Sequence, residues 1–123
     1  MLDKKIVIVD DDEAIRKTFF LLLSSRYNVY LARDAREALA RFEKAPVDMI
    51  IADFRLPQKN GLQMLLDFRQ AGYQGKIILI SAYPDQIKRD ELEKLGVDRV
   101  FLKPLDLKAL TEAIDGLLRG PAS

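Results

Sequence analysis

The chain has 123 residues, the length of one domain with one core. Its 20 basic and 19 acidic residues leave a formal charge of +1, which gives no reason to expect a nucleic-acid or membrane surface. It contains neither Cys nor His, which excludes disulfides, thiolate or imidazole metal sites, a histidine general base and any phosphohistidine of its own. Chemistry must therefore rest on carboxylates, lysines, hydroxyls, backbone amides and borrowed ions.

The opening Met1-Leu2-Asp3-Lys4-Lys5 lacks the layout of a signal peptide, and no apolar run reaches the length of a membrane span, so a cytoplasmic location is expected. The first apolar run, Lys5–Asp10, predicts a strand. Its core, Ile6-Val7-Ile8-Val9, does not alternate, as in strands covered on both faces. Asp12 reads as the N-cap of a helix whose stripe is Ile15, Phe19, Leu22 and Leu23. A second strand is predicted over Asn28–Ala32. Asp34 and Glu37 then form a capping-box pattern for a helix with Ala35, Ala38, Leu39 and Phe42 inward. Strand three is predicted over Asp48–Asp53, followed by a helix striped with Leu62, Leu65, Leu66 and Phe68. Strand four, Lys76–Ser81, leads to a helix marked by Ile87, Leu92 and Leu95 and closed by Gly96. Strand five, Arg99–Lys103, precedes a helix striped with Leu107, Leu110, Ile114, Leu117 and Leu118. Gly120-Pro121-Ala122-Ser123 reads as a frayed tail or the start of a linker. Fivefold alternation of strand and helix at this length predicts a doubly wound α/β sheet.

Ligands of open parallel sheets bind beyond the carboxyl ends of the strands. There the first strand offers Asp10-Asp11-Asp12, the third Asp53, the fourth Ser81 and the fifth Lys103-Pro104. Carboxylates gathered at adjacent strand ends repel one another, and a hard divalent cation resolves the conflict. Two or three of them with positions left for water suit Mg²⁺. A cation, the Lys103 ammonium and the Ser81 hydroxyl around one carboxylate make a device for neutralising a transferring phosphoryl group. Asp53, the lone acid between the acidic run and Lys103, is the candidate nucleophile. Singly, each residue also has an ordinary reading: a helix cap for Asp12, a solvated charge for Lys103, a turn hydroxyl for Ser81. Their meeting on one sheet edge is what carries the argument.

Four segments, Ile6-Val7-Ile8-Val9-Asp10-Asp11-Asp12, Ile51-Ala52-Asp53-Phe54-Arg55-Leu56-Pro57 with Gly61, Ile80-Ser81-Ala82 and Phe101-Leu102-Lys103-Pro104, together resemble the receiver family of two-component response regulators. The likeness spans nearly the whole chain and is nearest to stand-alone receivers of the chemotaxis and sporulation-phosphorelay type. It implies a flavodoxin-like (βα)5 fold with a five-stranded parallel sheet in the order 2-1-3-4-5, over a receiver domain of residues 1–119. It implies Asp53 as acceptor of a phosphoryl group from the phosphohistidine of a sensor kinase or phosphotransfer protein. Mg²⁺ would be held directly by Asp11, Asp53 and the backbone carbonyl of Arg55, and by Asp10 largely through water. Ser81, the Ala82 amide and Lys103 would contact the phosphoryl oxygens, and the Lys103–Pro104 bond would be cis. Partners would be that kinase and a downstream effector protein or fused output domain, reached through the fourth helix, fifth strand and fifth helix.

Some positions depart from the family pattern. The hydroxyl position more often holds Thr than Ser. The aromatic often found three residues before the lysine is here Val100, and alternation sends the adjacent Phe101 to the opposite face. A switch working through Ser81 and an aromatic ring is therefore in doubt. Any signal is expected to pass through Ser81, Ala82 and Tyr83. Arg55 and Tyr83 stand where the family tunes dephosphorylation, and their bulk is expected to screen attacking water. Alternatives are a receiver-like module signalling without phosphorylation and an Asp-nucleophile phosphatase. The haloacid-dehalogenase pattern needs a second Asp where Arg55 stands, and nothing remains for a cap domain. A nucleotide site lacks its glycine-rich loop, and an EF-hand fails at Ala14. The reading is thus of a phosphoacceptor and not of a turnover enzyme.

Overall fold

Strands and helices alternate five times along the computed structural model, which describes residues 4–119. The elements are β1 (Lys5–Val9), α1 (Glu13–Leu23), β2 (Asn28–Ala32), α2 (Ala35–Lys44), β3 (Met49–Asp53), α3 (Gly61–Gln70), β4 (Lys76–Ser81), α4 (Arg89–Leu95), β5 (Arg99–Leu102) and α5 (Leu107–Arg119). A single 3-10 turn, Pro84–Gln86, precedes α4. The reading of 120–123 as a tail or linker lies outside the described residues.

All strand pairs are parallel, and the sheet order is β2-β1-β3-β4-β5. This is the flavodoxin-like order. The apolar runs agree with it: β1, β3 and β4 are central and buried on both faces, while the edge strands expose Leu31, Arg99 and Leu102. Alternation along the central strands divides the core. Val7, Val9, Ile50, Ala52, Ile77 and Leu79 meet Ala38 of α2 and Leu65 and Phe68 of α3. Ile6, Ile8, Met49, Ile51, Ile78 and Ile80 meet Phe19 and Leu23 of α1 and Leu110 and Ile114 of α5. Val100 packs with the first layer and Phe101 with the second, so the two sit on opposite faces.

Helices follow local chemistry, with three departures from the predicted pattern. Asp12 caps α1 by accepting the amides of Ala14 and Ile15. Asp34 caps α2 through the Glu37 amide, but Glu37 does not return the bond to Asp34. Its carboxylate takes the Arg33 amide at 2.8 Å and the Arg33 guanidinium. The reciprocal box forms instead on α3, between Asn60 and Gln63. The stripe of α3 centres on Gly61, Leu65 and Phe68 and includes Met64, which leaves Leu66 on the far side and exposed. Ile87 falls before α4 and ends the 3-10 turn, whereas Gly96 closes α4 at φ 71°, as expected.

α4 has no buried residue and no side-chain cap at its start. Its end is held by Arg69 of α3, whose guanidinium donates to the carbonyls of Leu95 (2.7 Å), Gly96 (3.2 Å), Tyr73 (2.9 Å) and Gly75 (3.2 Å). At the same rim, where the strands begin, but on the other face of the sheet, Asp115 of α5 receives both the Tyr27 hydroxyl and the Arg26 guanidinium, tying α5 to the α1–β2 turn.

Candidate functional site

Sheet hydrogen bonding continues past the strands and fixes the residues of the carboxyl rim. The Asp10 amide donates to Ala32 at 3.1 Å, Phe54 to Ile80 at 2.7 Å and Lys103 to Ser81 at 2.9 Å. Asp10, Asp53 and Lys103 therefore project from frames set by their neighbours. Behind β3, the loop of residues 55–60 folds back so that the Gly61 amide donates to the Phe54 carbonyl at 2.6 Å. A Cβ on Gly61 would lie 2.7 Å from the Asp53 carbonyl oxygen, so only glycine fits. Within this loop Gln58 takes a left-handed φ of 71°.

The rim encloses an open cleft of about 540 Å³, walled by Asp10, Asp11, Asp53, Arg55, Tyr83 and Lys103, with Asp12, Ile15, Leu56, Pro57 and Ala82 around them. Asp53 is 6% exposed and Asp10 3%. One oxygen of Asp53, Oδ1, accepts the Arg55 amide at 2.9 Å, and Oδ2 meets the Lys103 ammonium at 2.5 Å. Asp10 Oδ1 accepts the Asp12 amide at 2.9 Å, and the Asp10 carbonyl is held by Arg16 at 2.7 Å. Burial pushes the Asp10 carboxyl up to about 6, with the adjoining Asp53 adding to the rise and the Asp12 amide and Lys103 opposing it. Burial alone would lower the Lys103 ammonium, but its bond to Asp53 and the charges of Asp53, Asp10 and Asp11 raise it.

The structure thus pairs Asp53 with Lys103, sets Asp10 beside Asp53 and places Asp11, exposed, on the same cleft. Ser81 is buried and is not on the cleft wall. Its Oγ accepts the Tyr83 amide at 2.9 Å, and Ala82 stands exposed between them. The Lys103–Pro104 bond is cis. Arg55 and Tyr83 meet across the mouth, the guanidinium 4.1 Å from the ring centroid. The sequence carried no sign of that pairing, nor of the Arg16 clasp on Asp10, because both depend on where loops return.

Two adjoining buried carboxylates, each resisting the charge of the other, are a donor set for a hard cation. All the candidate ligands are oxygens. Among the described residues no three acidic side chains are gathered into a ready-made ion cage. An open set of this kind, with space for water, fits Mg²⁺, which keeps part of its hydration shell.

A parallel sheet with this rim defines a class: small α/β domains that take a phosphoryl group on a carboxylate. The family model for the response regulator receiver domain matches residues 6–115, and the chain belongs to that family. Its members act as phosphoacceptors in two-component signalling, and this is what the present domain does. Receivers are generally Mg²⁺-dependent, are generally not turnover enzymes, and work with histidine kinases and output effectors. The chain is 30% identical over 115 residues to response regulator RR06 of Streptococcus pneumoniae, covering 93% of this chain and 52% of that protein. Among solved structures it is similar to the signal receiver domain of an HD domain-containing protein from Pseudomonas fluorescens Pf-5. The TM-score there is 0.85 at 30% identity, covering 94% of this chain and 87% of that one. It is also similar to the chemotaxis response regulator CheY4 of Vibrio cholerae, with a TM-score of 0.83 at 28% identity, covering 96% and 100%. The chain spans about half the length of the curated relatives it matches first. Among the described residues no helix is long and apolar enough to cross a membrane.

Proposed function

We propose that Asp53 is the phosphoacceptor of this domain, served by Lys103, Ser81 and the Ala82 amide, with Mg²⁺ held by Asp10, Asp11, Asp53 and the carbonyl of Arg55. The observation that carries this reading is the contact of buried Asp53 with Asp10 on one side and the Lys103 ammonium on the other. When bound, the cation supplies charge neutralisation at the transferring phosphoryl group. Asp53 offers one carboxylate oxygen in line with phosphorus. The new O–P bond forms as the P–N bond of a partner's phosphohistidine breaks, and the imidazole leaves with the electron pair. Lys103 follows the growing charge from the carboxylate to the phosphoryl oxygens, its raised affinity for the proton keeping it cationic throughout. Ser81 and the Ala82 amide donate to the remaining oxygens.

The donor is the phosphohistidine of a sensor kinase or phosphotransfer protein in the cytoplasm. The domain catalyses its own phosphorylation and dephosphorylation without turning over a substrate. The readout surface comprises α4, β5 and α5, which a partner protein or fused output domain contacts, and residues 1–119 form the functional unit. Arg55 and Tyr83 modulate dephosphorylation, with the Arg55 side chain lying over the phosphoryl group and screening it from water.

The test is labelling with acetyl phosphate and Mg²⁺, read by intact mass. The native chain is expected to gain one phosphoryl group and Asp53→Asn none. Undiminished labelling of Asp53→Asn would place the acceptor elsewhere.

A further inference from the structure

Tyr83 is tethered twice, and each tether is a residue of the acceptor site. Its ring lies under the Arg55 guanidinium at 4.1 Å, and its amide donates to Ser81 Oγ at 2.9 Å. From this we infer that phosphorylation of Asp53 releases Tyr83 by taking away both partners, so that Tyr83 is the conformational reporter of this receiver. The inference rests on Asp53 being the acceptor.

The physical argument is an exchange of partners. Arg55 is exposed, lines the cleft and belongs to the loop whose amide already bonds Asp53 Oδ1. An ammonium or guanidinium over an exposed ring is held weakly. A phosphoryl dianion offers the same guanidinium charge-assisted, bidentate hydrogen bonds, which are stronger. Arg55 thus leaves the ring for the phosphoryl group. Ser81 is drawn the same way, and a swing of Oγ toward Asp53 removes the acceptor from the Tyr83 amide.

What Tyr83 leads into is built to respond. From Ala82 to Asp90 every residue but Ile87 is exposed, and α4 beyond has no buried residue and no side-chain cap. Its far end is pinned by Arg69. A change at Tyr83 therefore moves the near end of α4 against a fixed far end. Val100, half-buried against the core layer with no ring to turn, leaves this route to the loop.

The experiment uses Tyr83→Trp, because the chain has no other Trp and the introduced indole reports alone. An indole keeps the cation contact. Acrylamide quenching is measured with Mg²⁺ before and after acetyl phosphate, while intact mass records labelling of the same sample. The expected result is a rise in quenching on labelling, from a side chain already half exposed. With Arg55→Gln added, quenching is expected to be high from the start and unchanged by labelling. Labelling without a change in quenching overturns the release of Tyr83 and leaves the acceptor assignment standing. An equal rise in the Arg55→Gln background overturns the role of the guanidinium. No labelling of the native chain, treated alongside and melting cooperatively, overturns the acceptor assignment, and the release with it.

Discussion

Asp10 shows how much one buried carboxyl shapes this site. Its ordinary value of 3.8 is pushed up to about 6, by burial first and by Asp53 next. Without a cation, the folded chain holds a proton here that the unfolded chain releases at the ordinary value. Folding stability from this group is therefore full below about pH 4 and is lost as pH rises to about 6. Mg²⁺ requires the charged form, so its binding to the folded chain strengthens as pH rises through about 6. Thermal melts with and without Mg²⁺ should show an increment in Tm that grows from about pH 5 to about pH 7 and then levels. An increment equal at both ends would rule out Asp10 as the titrating ligand. Asp10, Asp53 and Lys103 were legible in the sequence because strands of a parallel sheet all end at one rim, so the last residue of each run is placed by topology alone. The Arg55–Tyr83 contact was not legible, since it joins two loops whose paths no local pattern encodes.

Among the elements, the loop between β3 and α3 decides where Asp53 stands. Gly61 closes it by hydrogen-bonding Phe54, and its α-carbon passes so near the Asp53 carbonyl that no methyl fits. Gly61→Ala should destabilise the domain by about 1–3 kcal/mol, the usual range for a side chain forced into a packed site. Denaturant melts check the magnitude. Labelling of the folded fraction should also slow, because the added methyl displaces the acceptor backbone. Unchanged stability and labelling would show that the loop relaxes freely. Gly61 was visible as part of a motif, but the reason for it was not, since the clash lies with residues brought back by the turn. The Asn60–Gln63 box was written in the sequence as plainly as the Asp34–Glu37 pattern, yet only the former closes reciprocally. Arg33, adjacent to Asp34, competes for Glu37 and wins with both its amide and its guanidinium. Leu66 was assigned inward because leucine is apolar, whereas the angular centre of α3 selects Met64 instead.

Across the whole molecule, Arg69 holds α4 to the rest. Four carbonyls from the ends of α3 and α4 and the start of β4 converge on one guanidinium, and neither composition nor helical spacing announces such a meeting. Arg69→Ala strands those carbonyls and should cost on the order of 2 kcal/mol, the scale of hydrogen bonds to a charged group. Hydrogen exchange should locate the loss, with faster exchange over residues 89–96 and little change in β1 and β3. Uniform acceleration would mean that α4 is not a separate unit. The parallel, doubly wound sheet, by contrast, was readable from the uninterrupted apolar runs, while the order of its strands came only through the resemblance of the motifs to a known family. That same architecture leaves neither oxygen of Asp53 idle, since one faces the amide of residue 55 and the other the ammonium of residue 103. Each oxygen still keeps a lone pair beyond its one partner, so the two bonds orient the carboxylate without blocking it. Under the proposed reading the ammonium has only to pass from an oxygen of Asp53 to the incoming group, so that a single cation serves both before and after transfer.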